Sequence, residues 1–166
     1  MTKWIPAREL YICWIEDRRY WVWTHSPDCC RTEVAELRNV CWLDIMGTTD
    51  VKSLLKYTSY GAYLVFKLKE GHSKELEQVK ASVRFVADKV DGVEDEGVTV
   101  FLVDKKEVKA YEQVPRLRND GWKEIKLGEF YNEWGDEGKV EMRLFETKRG
   151  QWKSGLLVKG IEVRPI

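Results

Sequence analysis

The chain has 166 residues, of which 43% are hydrophobic and 34% charged, a composition typical of one folded domain spanning residues 1–166. Its 28 basic and 28 acidic residues give a formal net charge of +0, so no long-range field selects nucleic acid or acidic lipid. The stretch MTKWIPAREL lacks the apolar run of a secretory signal, and no later stretch is long enough to span a membrane. We therefore expect a soluble protein made in the cytosol, without membrane insertion.

The first predicted elements are rich in aromatic residues. The stretches ELYICWI and RYWVWT (residues 9–15 and 19–24) alternate between two faces and flank the charged stretch EDRR, which predicts a β-hairpin. The stretch TEVAELRNV (residues 32–40) begins with a threonine suited to cap a helix, and we predict a short helix there. The stretch VCWLDIM (residues 40–46) predicts a strand that ends at Gly47.

The middle of the chain contains the clearest strand, SYGAYLVFKLK (residues 59–69). Alternation places one apolar set on a single face: Tyr60, Ala62, Leu64, Phe66 and Leu68. The stretches KASVRFVAD and GVTVFLVD (residues 80–88 and 97–104) predict two further strands on either side of an acidic loop.

The last third of the chain predicts more strands. The stretch NDG (residues 119–121) suits a turn with positive φ, and the imperfect alternation of WKEIKLGEF after it predicts a strand with a bulge. The stretch GEFYNEWG (residues 128–135) predicts one further helical turn. The stretches KVEMRLFET and SGLLVKGIEVRP (residues 139–147 and 154–165) predict a final strand pair joined by a turn.

Seven or eight short strands separated by turns predict an all-β domain. We expect an antiparallel β-sandwich of two sheets with a few short helices. Because the chain has no internal repeat, a binding site must come from loops or from one face of a sheet.

The four cysteines do not have the spacing of a metal finger. We expect Cys13 and Cys41 to pack as small hydrophobic side chains. Cys29 and Cys30 are adjacent in a predicted loop, and a disulfide within or between chains stays open for them. Since the chain has only two histidines, the sequence predicts no metal site and no cofactor.

Eight tryptophans exceed what a sandwich core about 10 Å thick readily buries. They are Trp4, Trp14, Trp21, Trp23, Trp42, Trp122, Trp134 and Trp152. We assign Trp42 and Trp122 to the core because both lie at predicted strands, and Trp4 to a plug at the N-terminus. Trp134 and Trp152 stand among polar residues, where an indole has no obvious packing role and is available for a ligand.

Exposed indole rings beside polar groups suit a carbohydrate. The C–H face of a pyranose packs on an aromatic ring, and its hydroxyl and acetamido groups form directional hydrogen bonds at the edge. A neutral sugar also agrees with the absence of net charge, whereas a binder of single-stranded nucleic acid needs a basic groove.

Six motifs together resemble the phloem protein 2 lectins, the Nictaba-related plant family. They are WIPARELYICW, VAELRNVCWLDIMG, TSYGAYLVFKLKE, RNDGWKEIKLGEFYNEWGDEG, VEMRL and WKSGLLVKGIEVRP. Their order and spacing cover almost the whole chain, and the similarity is closest to the short, single-domain lectins of cucurbit phloem.

The resemblance implies a β-sandwich lectin for N-acetylglucosamine oligomers, as in chitin, and for the core of N-glycans. It implies a homodimer without metal or catalysis, with a role in plant phloem defence, either in the cytoplasm or in phloem sap without a signal peptide. The residues that match the family's sugar site are Trp14 and Trp21. Reading the neighbouring loops, we extend this predicted site to Tyr20, Trp23, Glu146 and Trp152.

Two other functional classes stay open at this point. The stretch RRYWVW mixes basic and aromatic residues, which is compatible with a module that binds protein or RNA without binding sugar. A glycosidase would need two carboxylates near the sugar, and the candidate pairs are Glu141 with Glu146 and Glu124 with Glu129. Acidic residues are so frequent in this chain that such pairs arise by chance, and we therefore expect a binding domain without enzymatic activity.

Overall fold

Antiparallel strands make up most of the molecule. The computed structural model describes residues 1–26, 29–133 and 138–166, without the side chains of residues 29–31. The strands in this part of the chain are β1 Lys3–Pro6, β2 Tyr11–Ile12, β3 Trp21–Ser26, β4 Cys29–Leu37, β5 Leu43–Asp50, β6 Thr58–Leu68, β7 Gln78–Phe85, β8 Val98–Phe101, β9 Arg116–Leu117, β10 Lys123–Asn132, β11 Lys139–Glu146 and β12 Leu156–Pro165. Single turns of 3-10 helix lie at Ala7–Glu9, Val51–Ser53, Lys74–Leu76 and Val86–Asp88.

The strands form two antiparallel sheets that pack face to face. The larger sheet has seven strands, in the order β3, β4, β12, β6, β10, β9, with β1 paired to β12 as well. The first part of β12 pairs with β4 and its later part with β1, so that Lys3 lies opposite Val163. The smaller sheet has five strands, in the order β2, β5, β11, β7, β8. The predicted all-β sandwich of two sheets is confirmed.

The core between the two sheets is built by alternation along the strands. In β6, the predicted inward residues Tyr60, Ala62, Leu64 and Phe66 are completely buried, and Leu68 is partly buried. In β5, the alternate residues from Leu43 onward are buried and those between them are more exposed. The prediction for this face of β6 is confirmed, because a half-buried strand shows its faces directly in its sequence.

A second, smaller apolar cluster lies on the outer face of the larger sheet. It consists of Val34, Val65 and Trp122, all fully buried. Two lysines cover the Trp122 ring, with the Nζ atoms of Lys67 and Lys159 at 4.5 and 5.3 Å from its centroid. Trp122 is therefore buried as predicted, although it packs outside the space between the sheets.

An ion-pair network crosses the outer face of the larger sheet from β10 to β12. The Glu124 carboxylate accepts hydrogen bonds from Arg164 Nη2 at 2.5 Å and from Arg118 Nη1 at 3.1 Å. The same two guanidinium groups bind Glu162. Burial alone would raise the pKa of Glu124, but the hydrogen bond and the charge of Arg164, with its arginine neighbours, hold that pKa below its usual range.

The predicted N-terminal hairpin is wrong. The strand β2 belongs to the smaller sheet and β3 to the larger one, so the chain crosses between the sheets at residues 13–20. Consecutive turns make this crossing, with the N–H groups of Ile15, Asp17 and Tyr20 each bonded three residues back. Within these segments Leu10, Ile12 and Trp21 are buried in the core, whereas Tyr11 and Trp14 are exposed.

The predicted helix at residues 32–40 is also wrong. Residues up to Leu37 form β4, which pairs with both β3 and β12. Ala35 and Leu37 point into the core while Val34 packs on the outer face, so tertiary pairing overrides the local helical preference. The strand β5 likewise continues past Gly47 to Asp50.

Four predictions for the last third of the chain have mixed outcomes. The register of β10 against β6 shifts between Lys126 and Gly128, which confirms the bulge, and Gly121 has the expected positive φ of 86°. The helical turn predicted from residue 128 is wrong, because β10 continues to Asn132. The final two strands do not pair, since β11 lies in the smaller sheet and β12 in the larger one.

The structure describes the side chains of two of the four cysteines. Cys13 and Cys41 are free and half-buried. The side chains of Cys29 and Cys30, and residue Trp134, lie outside the described residues.

The Glu124 network gives a first testable prediction. We expect Glu124→Gln to lower the free energy of unfolding by roughly 3 kcal/mol at pH 7, because it removes the charge of a buried carboxylate that two half-buried guanidinium groups share. A carboxylate whose folded-state pKa is lowered stabilises the fold above its unfolded pKa, and this contribution is lost as pH falls through the folded value. In urea unfolding, the difference in the free energy of unfolding between this variant and the wild type should therefore decrease below about pH 4.5.

The matched control is Glu129→Gln. Glu129 is a half-exposed partner of Lys126 on the same strand, so its loss should change stability by less than about 1 kcal/mol. Equal effects of the two substitutions, or a gap that widens in acid, would contradict the prediction.

Candidate functional site

One end of the sandwich carries a cluster of exposed aromatic side chains. Trp14, Trp42 and Trp152 are 54%, 46% and 52% exposed, and Tyr20 lies half-buried between them. Together they line a cavity of about 380 Å³, which we call the aromatic cavity. Its remaining walls are Cys13, Val40 and Cys41. Contiguous apolar patches of this kind on folded domains mark binding surfaces.

Three chain segments that cross between the sheets form the aromatic cavity. Residues 13–20 follow β2, residues 38–42 precede β5, and residues 147–155 precede β12. Because β2 and β5 pair antiparallel, the first segment leaves the sheet beside the point where the second one enters it. The cavity therefore depends on long-range strand pairing and not on one local loop.

Backbone hydrogen bonds hold the three segments together. The Tyr20 carbonyl accepts the N–H of Arg38 at 2.8 Å, which joins the first segment to the second. Val40 and Lys153 form an isolated antiparallel bridge, which joins the second segment to the third. The N–H of Gly155 donates to the Leu37 carbonyl at 3.0 Å and extends this connection to the end of β4 and the start of β12.

Trp14 has an uncommon backbone conformation. Its φ of 70° lies in the left-handed region, which costs a residue with a bulky side chain about 1–2 kcal/mol. Its carbonyl accepts the N–H of Asp17 at 3.0 Å, and the turn that follows directs the indole outward. Strained residues concentrate at functional sites, where the surrounding structure fixes them.

The rings around Tyr20 form one contiguous surface. Tyr20 meets Trp14 edge to face, with centroids 5.6 Å apart, and stacks with Trp152 at 6.4 Å. The Arg19 guanidinium lies over the Tyr20 ring at 5.2 Å, and Asp17 binds the same guanidinium at 2.7 Å. The central ring of the surface is thus fixed on three sides before a ligand arrives.

The walls of the aromatic cavity are neutral. Among the described residues that line it, none has a charged side chain. Burial raises the pKa of the Cys13 thiol, which favours its neutral form. The polar groups of the lining side chains are the Tyr20 hydroxyl, the indole N–H groups and the thiols. The cavity therefore suits an uncharged ligand with an apolar face.

The structure brings together three of the six predicted site residues: Trp14, Tyr20 and Trp152. Trp21 does not join them, because it is 1% exposed and belongs to the main core. Tyr20 ends the crossing segment and lines the aromatic cavity, whereas the chain enters β3 at Trp21 and turns that indole into the core. Its position does not support the prediction that Trp21 contacts a ligand.

Trp23 also lies away from the aromatic cavity. Its ring is partly buried against the core and is covered by the Arg8 guanidinium at 4.0 Å. Arg8 is in turn paired with Glu33 at 2.5 Å. Trp23 and Trp21 instead line a separate cavity of about 350 Å³.

Glu146 shapes a turn and does not reach the aromatic cavity. Its carboxylate is 6% exposed and accepts the backbone N–H groups of Lys148 and Arg149 at 3.2 and 2.8 Å. Burial would raise the pKa of Glu146, but these hydrogen bonds and the charges of Arg149 and Lys153 lower it overall. Glu146 fixes the start of the segment that carries Trp152.

Trp42 is the site residue that the sequence prediction missed. Assigned to the core, it is instead 46% exposed at the entrance of β5. The signal was available in the alternation: Leu43 and Ile45 are buried, so Trp42 shares the outward face with Asp44. The face that Trp42 shares with Asp44 is the face turned away from the core between the sheets.

Two further features of the described residues bear on the type of site. Among the side chains of residues 1–26, 32–133 and 138–166, no three acidic, histidine or cysteine groups lie close enough together to hold a metal ion. None of the helices described is long and apolar enough to cross a bilayer.

Sequence comparison provides independent information on the family. A sequence model of the family described as phloem protein 2 matches residues 2–165. The F-box protein PP2-B10 of Arabidopsis thaliana is 35% identical over 164 residues, covering 97% of this chain and 59% of that protein. The F-box protein PP2-B1 of the same plant is 33% identical over 206 residues, covering 97% of this chain and 61% of that protein.

The chain thus spans about three fifths of the length of these two relatives. These relatives are named F-box proteins, and they are longer than the short lectins that the sequence motifs resemble. Among solved structures, a Clostridium thermocellum xylanase 10B fragment with CBM22-1 and GH10 modules, in complex with xylohexaose, overlaps 98% of this chain and 27% of that chain. The TM-score is 0.45 at 10% identity, a similarity too weak to support any functional argument.

The backbone of Trp14 gives a second testable prediction. Glycine adopts a positive φ without strain, so Trp14→Gly should be more stable than Trp14→Ala by about 1 kcal/mol. Both variants lose the same ring contact with Tyr20, which makes their difference a measure of the backbone alone. Urea unfolding of the two variants checks this.

The control pair is Trp152→Gly and Trp152→Ala, because Trp152 is equally exposed and has no positive φ. At this position the glycine variant should be less stable than the alanine variant. An alanine variant at position 14 that matches or exceeds the glycine variant would show a relaxed backbone and contradict the prediction.

Proposed function

Because this chain belongs to the phloem protein 2 family, we propose that it is a lectin domain whose aromatic cavity binds N-acetylglucosamine oligomers and the core of N-glycans. The observation that carries this proposal is the single neutral surface formed by Trp14, Tyr20, Trp42 and Trp152. The proposal concerns recognition without catalysis.

The chemistry of a pyranose fits this surface. One face of the sugar ring carries axial C–H bonds that pack against an indole, as an apolar group packs in a core. The acetamido methyl group adds a second apolar contact, and its amide needs partners such as the Tyr20 hydroxyl. Because Tyr20 touches both Trp14 and Trp152, the platform is continuous and pre-formed.

The acidic residues that a glycosidase would need are engaged elsewhere. Glu141 bonds Lys89 at 3.0 Å on the smaller sheet, and Glu146 caps its turn. Glu124 lies in the arginine network of the larger sheet, and Glu129 pairs with Lys126. No described carboxylate lines the aromatic cavity, which supports binding over hydrolysis.

The arginine next to the central ring of the aromatic cavity does not favour RNA. Arg19, part of the RRYWVW stretch, is neutralised by Asp17. An RNA-binding surface would present unpaired cations along a groove next to the stacking rings. A protein partner without sugar binding is the alternative that the experiment below tests.

A homodimer would serve this function. A single aromatic platform buries little area and binds weakly, so two sites in one assembly would increase the avidity for repetitive glycans.

The experiment is a titration with chitotriose followed by tryptophan fluorescence and calorimetry. We expect Trp152→Ala to weaken binding about tenfold, because it removes one wall of the platform. Its free energy of unfolding should change by less than about 1 kcal/mol, since the ring is half-exposed. Trp21→Ala should instead destabilise the fold by roughly 3–5 kcal/mol, as expected for a core residue.

The control is Trp4→Ala, which removes a partly exposed indole on β1, outside the aromatic cavity. It should bind chitotriose like the wild type. Affinity should change little between low and high salt, because the walls are neutral. Absence of chitotriose binding by the wild type in calorimetry would overturn the sugar proposal and favour a protein partner.

A further inference from the structure

A fully buried ammonium group lies behind the aromatic cavity. Lys153 is 0% exposed, and its Nζ donates to the carbonyl oxygens of Cys41 at 3.0 Å and Gln151 at 2.7 Å. Each carbonyl belongs to the residue immediately before a cavity tryptophan. We propose that Lys153 is a positioning residue that fixes Trp42 and Trp152 relative to each other and thereby sets the shape of the binding surface.

The main chain of Lys153 reinforces this link. Its N–H donates to the Val40 carbonyl at 2.8 Å, and its carbonyl accepts the Val40 N–H at 3.0 Å. The backbone therefore aligns the two segments, and the side chain then reaches across to the carbonyl of Cys41, which follows Val40, and back to the carbonyl of Gln151 on its own segment. Without the side chain, the bridge would still form, but the peptides that lead into Trp42 and Trp152 would lose their shared donor.

The cost of burying this group argues for a specific role. An ammonium group loses several kcal/mol of hydration on burial, and two carbonyl dipoles repay only part of it. Among the described residues, no carboxylate lies within ion-pair distance of Lys153 Nζ. An apolar side chain would fill the same space without this loss of hydration free energy, but it could not donate hydrogen bonds to the two carbonyls.

The charges around Lys153 agree with this assignment. Burial lowers the pKa of Lys153, and Arg149 lowers it further, while Glu146 and Glu75 act in the opposite direction. Glu146 is the turn carboxylate at the start of the same segment. Glu146 does not line the aromatic cavity, but its charge favours the ammonium form of Lys153.

The inference rests on the proposed function for its binding readout, so the experiment also needs a readout that requires no ligand. Fluorotryptophan incorporation gives one fluorine resonance for each tryptophan, and Trp→Phe variants assign those of Trp42 and Trp152. We expect Lys153→Met to move these two resonances while those of Trp4 and Trp122 stay in place. We expect the same variant to weaken chitotriose binding by roughly tenfold.

Lys153→Gln is the second variant, because its amide retains N–H donors for the carbonyls. It should fall between the wild type and Lys153→Met in both readouts. The matched control is Lys148→Met, which removes a largely exposed lysine from the same segment and should change neither readout.

Three results would overturn the inference. One is Lys153→Met with unchanged affinity and unchanged Trp42 and Trp152 resonances. Another is a movement of all tryptophan resonances together, and the third is a failure of both variants to fold, since either makes Lys153 a general structural residue. If the wild type binds no chitotriose, the sugar proposal fails, and the fluorine spectra still decide whether Lys153 positions the two tryptophans.

Discussion

The bridge between Val40 and Lys153 is the contact on which the candidate site depends. Three segments cross between the sheets at one end of the sandwich, and each carries at least one of the exposed aromatic rings. Strand pairing brings the segments near each other, and this bridge and the hydrogen bonds beside it hold the second and third segments at a fixed spacing. Backbone hydrogen bonds thus hold together a binding surface assembled from distant parts of the chain. Because these bonds do not involve side chains, the side chains around the cavity can change without breaking them.

The sequence allows prediction of individual strands better than of their partners. The strand β6 was recognisable because its inward residues alternate over almost its whole length. Alternation reports the face of a residue but not the sheet to which its strand belongs. The aromatic segments around residues 9–24 therefore looked like a hairpin, although one joins the smaller sheet and the other the larger. The helix expected before Trp42 failed for a related reason, since pairing on both edges outweighs local preference.

The site was only partly predictable. Trp152 stands among polar residues and Trp14 lies in a family motif, so both could be found from the sequence. Trp21 lies in an equally aromatic context, and its burial follows from the entry of β3 into the larger sheet, which the sequence does not show. Lys153 leaves no signal at all, because a lysine between a tryptophan and a serine resembles an exposed turn residue in the sequence. Its burial is a property of the assembled fold.

The pairing of β1 with the later part of β12 has a consequence for how the domain can be combined with others. The segment that carries Trp152 enters β12 at Leu156, whereas β1 pairs near its far end, with Lys3 opposite Val163, more than about 20 Å along the strand. The first and last strands thus lie side by side at the end of the sandwich remote from the aromatic cavity. A polypeptide joined to either strand would leave the domain there, so a fused module could be carried without covering the binding surface.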